Sequence, residues 1–152
     1  MKTEKILHTF YTAFSEGNAS AMISCYHEDI IFEDPAFGKL KSEKAYAMWK
    51  MLLSKKEESE LNITFNVIND KQVEWVANYK YGPKKRPVLN KVRASFEFLD
   101  GKIIRHTDSF SLWKWSQQAL GMSGLLLGWS NFMKSKVQAT TNKLLEKYIA
   151  KQ

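Results

Sequence analysis

Ile30-Ile31-Phe32-Glu33-Asp34-Pro35-Ala36-Phe37-Gly38 is the stretch on which the fold turns. It opens as a run of β-branched and aromatic residues and is cut off by a proline, which fixes its own φ and has no N–H to give a ladder. The residue before a proline is confined to extended backbone. Ile30–Asp34 is therefore predicted to be a short strand, with Ile30, Phe32 and Asp34 on one face and Glu33 on the other. Upstream, residues 3–16 set Ile6, Leu7, Phe10, Tyr11 and Phe14 on one helical stripe, which Gly17 ends. Asn18 is placed to cap a second, short helix over Ala19–Tyr26, and His27-Glu28-Asp29 reads as a polar bend. Downstream, Ser42 opens a third helix over 42–55, with Ala45, Trp49, Leu52 and Leu53 at helical spacing. Lys55–Glu60 is a charged turn.

Beyond residue 60 the period changes. Leu61–Asn69, Gln72–Tyr81, Val88–Leu99 and Lys102–Trp115 are rich in β-branched and aromatic residues and read as strands. Asn69-Asp70-Lys71 and Asp100-Gly101 are hairpin turns, and Gly82–Pro87 is a longer hairpin loop. Helices followed by a meander give the α+β class. Ala119–Gly128, with Gly121, Gly124 and Gly128, suits a loop or broken helix. From Trp129 helical spacing returns for about 20 residues, or ~30 Å. The expected division is an α+β domain over 1–115 and a helical C-terminal extension, 116–152, packed on it.

Composition narrows the class. The 152 residues are 44% hydrophobic and 26% charged, a globular balance that argues against disorder. Aromatics make up 13%, enough for a wide core or a lined cavity. The single cysteine, Cys25, excludes an internal disulfide and a cysteine-rich zinc site. His8, His27 and His106 show no metal-ligand spacing, so no metal is expected. The amphipathic N-terminus does not read as a signal peptide, and no run of ~18 apolar residues is present to span a membrane. A soluble, cytoplasmic protein is expected. The net charge of +7 lies mainly in Lys84-Lys85-Arg86 and the lysines of the tail. Basic and aromatic residues are not interleaved as on an RNA-binding sheet, so no nucleic-acid partner is expected.

The order helix–helix–strand–helix–meander, with Phe32-Glu33-Asp34-Pro35-Ala36-Phe37-Gly38 at the first strand, resembles the nuclear transport factor 2-like superfamily. Within it the motif is most similar to ketosteroid isomerases, limonene epoxide hydrolases and SnoaL-like polyketide cyclases. The likeness covers residues 3–113. It implies a cone: a curved, mostly antiparallel sheet wrapped around the N-terminal helices, with a pocket inside and an outer face that often dimerises. In the isomerases the aspartate of Glu-Asp-Pro is the general base, which falls on Asp34; that enzyme is a standard case of tuned carboxyl groups. Their oxyanion-hole tyrosine falls on Phe10 and their second oxyanion aspartate near Ala94. Neither can donate a hydrogen bond, so steroid isomerisation by that arrangement is not implied.

Three side chains are candidates for chemistry. Asp34, beside Ile30 and Phe32, would be desolvated and so a better proton acceptor; the alternative is an Asx turn beside Pro35. Asp108 and His106 stand two apart on the last strand and share a face with Ile104 and Phe110. Cyclases and epoxide hydrolases of the superfamily place an acid on this strand, and His106 could carry protons near neutral pH. The alternative is that the two bond each other. Phe10, Phe14, Phe32, Trp49, Ala94, Phe96, Phe98 and Phe110 are expected to line the pocket. Whether Ala94 or Arg93 faces it depends on strand register.

These readings point to a small-molecule pocket protein: a cofactor-free isomerase, cyclase or hydrolase for an apolar oxygenated compound, working by aspartate acid–base chemistry. The alternatives are a non-catalytic binder of an apolar ligand and a dimeric interaction domain. Apolar residues on both faces of the meander suggest a homodimer through the sheet. The basic, Trp-bearing tail is expected to pack over the pocket mouth or a partner subunit rather than on a membrane.

Overall fold

The computed structural model describes residues 2–122 and 130–152. The chain runs α1 (Lys2–Ser15), α2 (Ala19–Ser24), β1 (Tyr26–Asp34), β2 (Gly38–Lys41), α3 (Glu43–Ser54), β3 (Asn62–Asn69), β4 (Gln72–Tyr81), β5 (Arg86–Leu99), β6 (Lys102–Ser109), α4 (Leu112–Leu120) and α5 (Asn131–Ala150). Residues 123–128 of the segment read above as a loop or broken helix, and Trp129, where helical spacing was expected to return, lie outside the described residues. The strands form one six-stranded sheet in the order β2-β1-β6-β5-β4-β3. Its pairs are antiparallel except β1 with β6, which is parallel. The sheet is curved and unclosed, and the class is α+β, the cone expected from the sequence.

Four local expectations give way. The second helix stops at Ser24, and the polar bend at 27–29 is part of β1. Tyr26 pairs with Ile103, and the register slips before Ile31 pairs with Arg105. A bulge of this kind breaks the period-2 signal that marks a strand. Second, Gly38–Lys41 forms a strand that no reading anticipated, folding back on β1 through a tight turn at Pro35–Phe37, so that Asp34 pairs with Gly38. Gly38 takes φ +74°, a backbone that favours glycine. Third, the last strand ends at Ser109 rather than Trp115. Ser111 Oγ accepts from Lys114 N at 3.2 Å and caps α4, whose buried Trp115, Ser116 and Ala119 follow helical spacing. The helical extension thus starts at Leu112, and the expected boundary at 115 falls inside α4. Fourth, β5 begins at Arg86, leaving a shorter turn than Gly82–Pro87.

The concave face gathers Val73, Trp75 and Ala77 of β4, Val92, Ala94 and Phe96 of β5, and Ile103, His106 and Asp108 of β6. Leu7, Phe10, Tyr11 and Phe14 of α1 and Met48 and Trp49 of α3 close on it. On α3 the buried position expected for Leu52 is taken by Met48; Leu52 is 38% exposed. A second, smaller cluster of Val88, Trp115, Ala119, Met133 and Val137 joins α4 and α5 to the far ends of β4 and β5. Ala36, Tyr79 and Phe110 touch both clusters and lie at their junction. The convex face is mixed: it exposes Leu89 and Ile68 beside charged residues. Arg93 there holds Glu74 at 2.8 Å and Arg105 holds Glu97 at 3.0 Å. Among the described residues no helix is long and apolar enough to cross a membrane.

Candidate functional site

Phe32 of β1 pairs with His106 of β6, and Glu33 with Thr107. In a parallel pair, residues at equal advance share a face, on strands ~4.8 Å apart. Continued one residue past its last pair, this register brings Asp34 level with Asp108, and the charge of Asp108 is felt at the Asp34 carboxyl group.

Asp108 and His106 are out of solvent, at 4% and 0% exposure. His106 Nε2 lies 2.9 Å from Asp108 Oδ1, and His106 Nδ1 lies 2.8 Å from the Tyr26 hydroxyl. Trp49 Nε1 donates to the same hydroxyl at 2.9 Å, and Trp75 Nε1 donates to Asp108 Oδ1 at 3.4 Å. Indole nitrogens can only donate. With a neutral imidazole and a carboxylate at Asp108, one proton order satisfies every partner: Trp49 to Tyr26, Tyr26 to His106 Nδ1, His106 Nε2–H to Asp108. Five aromatic rings cage the imidazole, with Phe96 at 4.5 Å, Phe32 at 5.0 Å, Phe10 at 5.5 Å and Trp49 and Tyr26 at 6.1 Å. Both nitrogens of His106 are therefore engaged inside the core. It bridges the Tyr26 hydroxyl and Asp108.

Asp34 is half-buried. Its Oδ1 accepts from Phe37 N at 2.6 Å, which closes the turn after Pro35. Burial pushes its carboxyl up to about 7, against the lowering effect of the Phe37 N–H and with the Asp108 charge adding to the rise. Asp34 is thus the acceptor that closes this turn, with a carboxyl group that burial raises. Tyr79 stands nearby, its hydroxyl accepting from Trp115 Nε1 at 2.7 Å. Burial first, and in smaller part the Asp34 charge, push the Tyr79 hydroxyl up to about 12.

Tyr11 is a further polar group of the interior. It packs against Phe65, Trp75 and Phe96 at 5.5, 6.3 and 6.2 Å. Its hydroxyl is fully buried and has no hydrogen-bond partner among the described residues. Burial, and then the charge of Asp108, raise it well above the usual phenol range. The α1 stripe is wide enough to bury Phe10 and Tyr11 together.

The expected pocket lining is only partly a lining. Phe10, Phe14, Phe32, Trp49, Ala94 and Phe96 are packed core. Phe10, Phe32, Trp49 and Phe96 enclose His106 rather than an open volume. Phe98 borders an open depression of about 740 Å³ between the start of α1 and the β5–β6 turn. Phe96 borders another, about 620 Å³, at the β3–β4 turn. Neither is bordered by Asp34 or Asp108. Phe110 lies at the cluster junction, near the carboxyl pair. Ala94 faces inward and Arg93 outward, so an Asp–Arg–Asp set of the epoxide hydrolase kind is not formed. Sequence reasoning missed Tyr26 as a site residue, because it read Tyr26 as the last residue of a helix. A strand read from 26 would have brought it into view.

A fold of this kind, with two carboxyl groups inside a curved sheet, defines the class, and sequence comparison names the family. The sequence model of the SnoaL-like domain matches residues 7–106, and the chain belongs to that family. No curated protein matches it. Among solved structures, a putative polyketide cyclase from Xanthomonas campestris pv. campestris is 20% identical, with a TM-score of 0.58 over 77% of this chain and 96% of that one. A putative isomerase from Bacillus subtilis is 16% identical, with a TM-score of 0.61 over 79% of this chain and 93% of that one. The epoxide hydrolase/cyclase-like enzyme SalBIII, described in pyran ring formation of salinomycin, is 16% identical, with a TM-score of 0.58 over 72% and 90%. At these identities the likeness is one of fold.

Proposed function

We propose that this protein is a cofactor-free enzyme that moves a proton on an apolar, oxygenated small molecule, as an isomerase, cyclase or hydrolase does. The observation that supports the reading is that Asp34 follows the last β1–β6 pair at the level of Asp108, close enough for the Asp108 charge to raise its carboxyl group, while the two have different hydrogen-bond partners. Two carboxyl groups whose surroundings differ can take different roles. Asp34, pushed to about 7, takes a proton and returns it near neutral pH. Asp108 is the fixed partner, tethered by His106 and Trp75 through Oδ1, that orients the substrate's oxygen-bearing group or its attacking water. The aromatic surroundings favour an apolar substrate skeleton. SalBIII and the putative cyclases share the fold, which supports ring-forming or ring-opening chemistry as the reaction class.

The test is proton exchange at carbon. 2-Tetralone, an apolar ketone with acidic α C–H bonds, is incubated with the protein in D2O and deuterium uptake is followed by NMR. Uptake above buffer that falls ~10²–10⁴-fold in Asp34→Asn supports the reading. Equal rates for wild type and variant defeat proton transfer by Asp34.

Non-catalytic binding is the second reading, and the 2.6 Å bond from Phe37 N to Asp34 favours it, because that bond gives Asp34 a structural task. Twofold pairing through the sheet is also retained as a proposal. The convex face offers ion pairs and Leu89 to a second copy, so the pairing would be polar and salt-sensitive. A monomer by light scattering at micromolar concentration removes it.

A further inference from the structure

The C-terminal helix reaches the candidate site through three successive carbonyl groups. Gln138 Nε2 donates to Pro35 O at 3.1 Å, Thr141 Oγ1 to Ala36 O at 2.6 Å and Asn142 Nδ2 to Phe37 O at 2.9 Å. Positions 138, 141 and 142 lie on one helix face, at the i, i+3, i+4 spacing. They meet the one stretch between β1 and β2 whose carbonyl groups no ladder uses. Gln138 also lies over Gly38, where an added Cβ would come within 3.3 Å of its Oε1. Apolar contact alone does not require this match: Val137 and Leu145 of the same helix are buried, and Thr and Asn are poorer helix formers than Ala.

The clamped turn is the turn that carries Asp34. Its closing bond, Phe37 N to Asp34 Oδ1, belongs to the same peptide chain segment whose carbonyl groups α5 holds. The other C-terminal helix, α4, is fastened to the β4–β5 end, with Arg86 Nε donating to Gln118 O at 2.8 Å and Leu89 N to Gln118 Oε1 at 2.7 Å. The extension thus grips both sides of the cluster junction. It lies outside residues 7–106, the part matched to the SnoaL-like domain.

We propose that Gln138, Thr141 and Asn142 are positioning residues for Asp34: α5 locks the Pro35–Phe37 turn, keeps the Asp34 carboxyl group oriented by the Phe37 N–H, and holds water away from it. This rests on the reading of Asp34 as the proton-transfer group. Released from the clamp, the turn would admit water and the carboxyl group would titrate closer to an ordinary aspartate.

The experiment is a carbon-detected NMR titration of the Asp34 side chain, with hydrogen exchange of the Phe37 amide measured on the same samples. The proteins are wild type, a Gln138→Ala/Thr141→Val/Asn142→Ala variant, and Val137→Ala, which weakens α5 packing without touching the clamp. In wild type the midpoint is expected near 7. In the triple variant it should fall by at least about one unit, and Phe37 exchange should quicken ~10-fold or more, equivalent to ~1.4 kcal/mol, the scale of losing one hydrogen bond. Val137→Ala should move neither. Should the triple variant fail to fold, Thr141→Val is read against Thr141→Ser, where only the serine, which keeps a hydroxyl, should preserve the wild-type values. An unchanged midpoint and unchanged exchange in a folded clamp variant overturn the proposal, and so do equal shifts in Val137→Ala. A wild-type midpoint in the ordinary carboxylate range instead defeats the role given to Asp34; the Phe37 exchange then still decides whether α5 holds the turn.

Discussion

His106 Nε2 and Asp108 Oδ1 lie 2.9 Å apart with both side chains shut off from solvent. A carboxylate in that position needs donors, and the strand supplies one two residues away. Tyr26 and Trp49 then orient the donor from behind. Removing one member of a buried pair costs more than the pair's net worth, because the other is left uncompensated.

His106→Phe should therefore destabilise the fold by ~3–5 kcal/mol. It leaves Asp108 with only the long bond from Trp75 and takes the acceptor of the Tyr26 hydroxyl proton. Tyr26→Phe keeps the ring and loses only the relay, at a cost of ~1–2 kcal/mol. Urea unfolding of the two variants gives the comparison. Equal costs would show that the imidazole is held by packing alone.

Asp34 links stability to pH with a definite sign. Its folded carboxyl titrates at about 7, above the unfolded 3.8. Between those values the folded state binds the proton that the unfolded state has released, so stability falls as pH rises from about 4 to 7 and levels off above. The full stabilisation is present only below the unfolded value. A shift of about three units sets an upper limit of ~4 kcal/mol, reduced by the partial exposure of the residue. Asp34→Asn should flatten this slope and be the more stable protein above pH 7. The Asn Oδ1 can still accept from Phe37 N, so the turn survives. Asp34→Ala loses that acceptor as well, and should cost ~1 kcal/mol relative to Asn. Melting temperatures across pH for the three proteins check the sign.

Much of this arrangement was legible in the sequence, for identifiable reasons. Alternation placed Asp34 with Phe32, and Asp108 with His106, because period 2 needs nothing beyond the strand itself. The proline and the hairpin turns marked strand ends through backbone chemistry. The pairing of β1 with β6 was not legible, since a parallel partner 70 residues away leaves no local trace. Without it Asp34 and Asp108 were two separate candidates. The bulge between Tyr26 and Ile31 hid Tyr26, and the apolar run Leu112–Trp115 suggested strand until its serine cap was placed. The clamp on Pro35–Phe37 was invisible for another reason: Gln138, Thr141 and Asn142 are ordinary polar residues of a helix, and only contact gives them a task.

Beside the Gln118 contacts, an indole fastens the extension at α4. Trp115 is buried and donates to Tyr79 at 2.7 Å while packing edge-on to Tyr81 at 5.3 Å. Trp115→Phe should cost ~1 kcal/mol for the hydrogen bond, and Trp115→Ala ~3–5 kcal/mol. The alanine variant should also bring early proteolysis in α4, near Leu112–Leu120, before the sheet is cut. Cleavage sites read by mass spectrometry decide whether the extension can open while the sheet stays folded.

Tyr11 and Tyr26 offer the sharpest contrast. Both are fully buried phenols on the concave side, and burial raises both well above the usual range. Among the described residues the Tyr26 hydroxyl has two partners and the Tyr11 hydroxyl has none. A buried hydroxyl without a partner costs ~1–3 kcal/mol, so its removal should be neutral or stabilising. Tyr11→Phe should then match or exceed wild type in urea, where Tyr26→Phe falls short of it. If the Tyr11 hydroxyl serves as a donor to a substrate oxygen, the same substitution should slow exchange of 2-tetralone while leaving the fold intact. A Tyr11→Phe protein that is clearly less stable than wild type would mean that the hydroxyl is satisfied within the folded protein, by ordered water for instance, and would remove it from the list of groups free to meet a ligand.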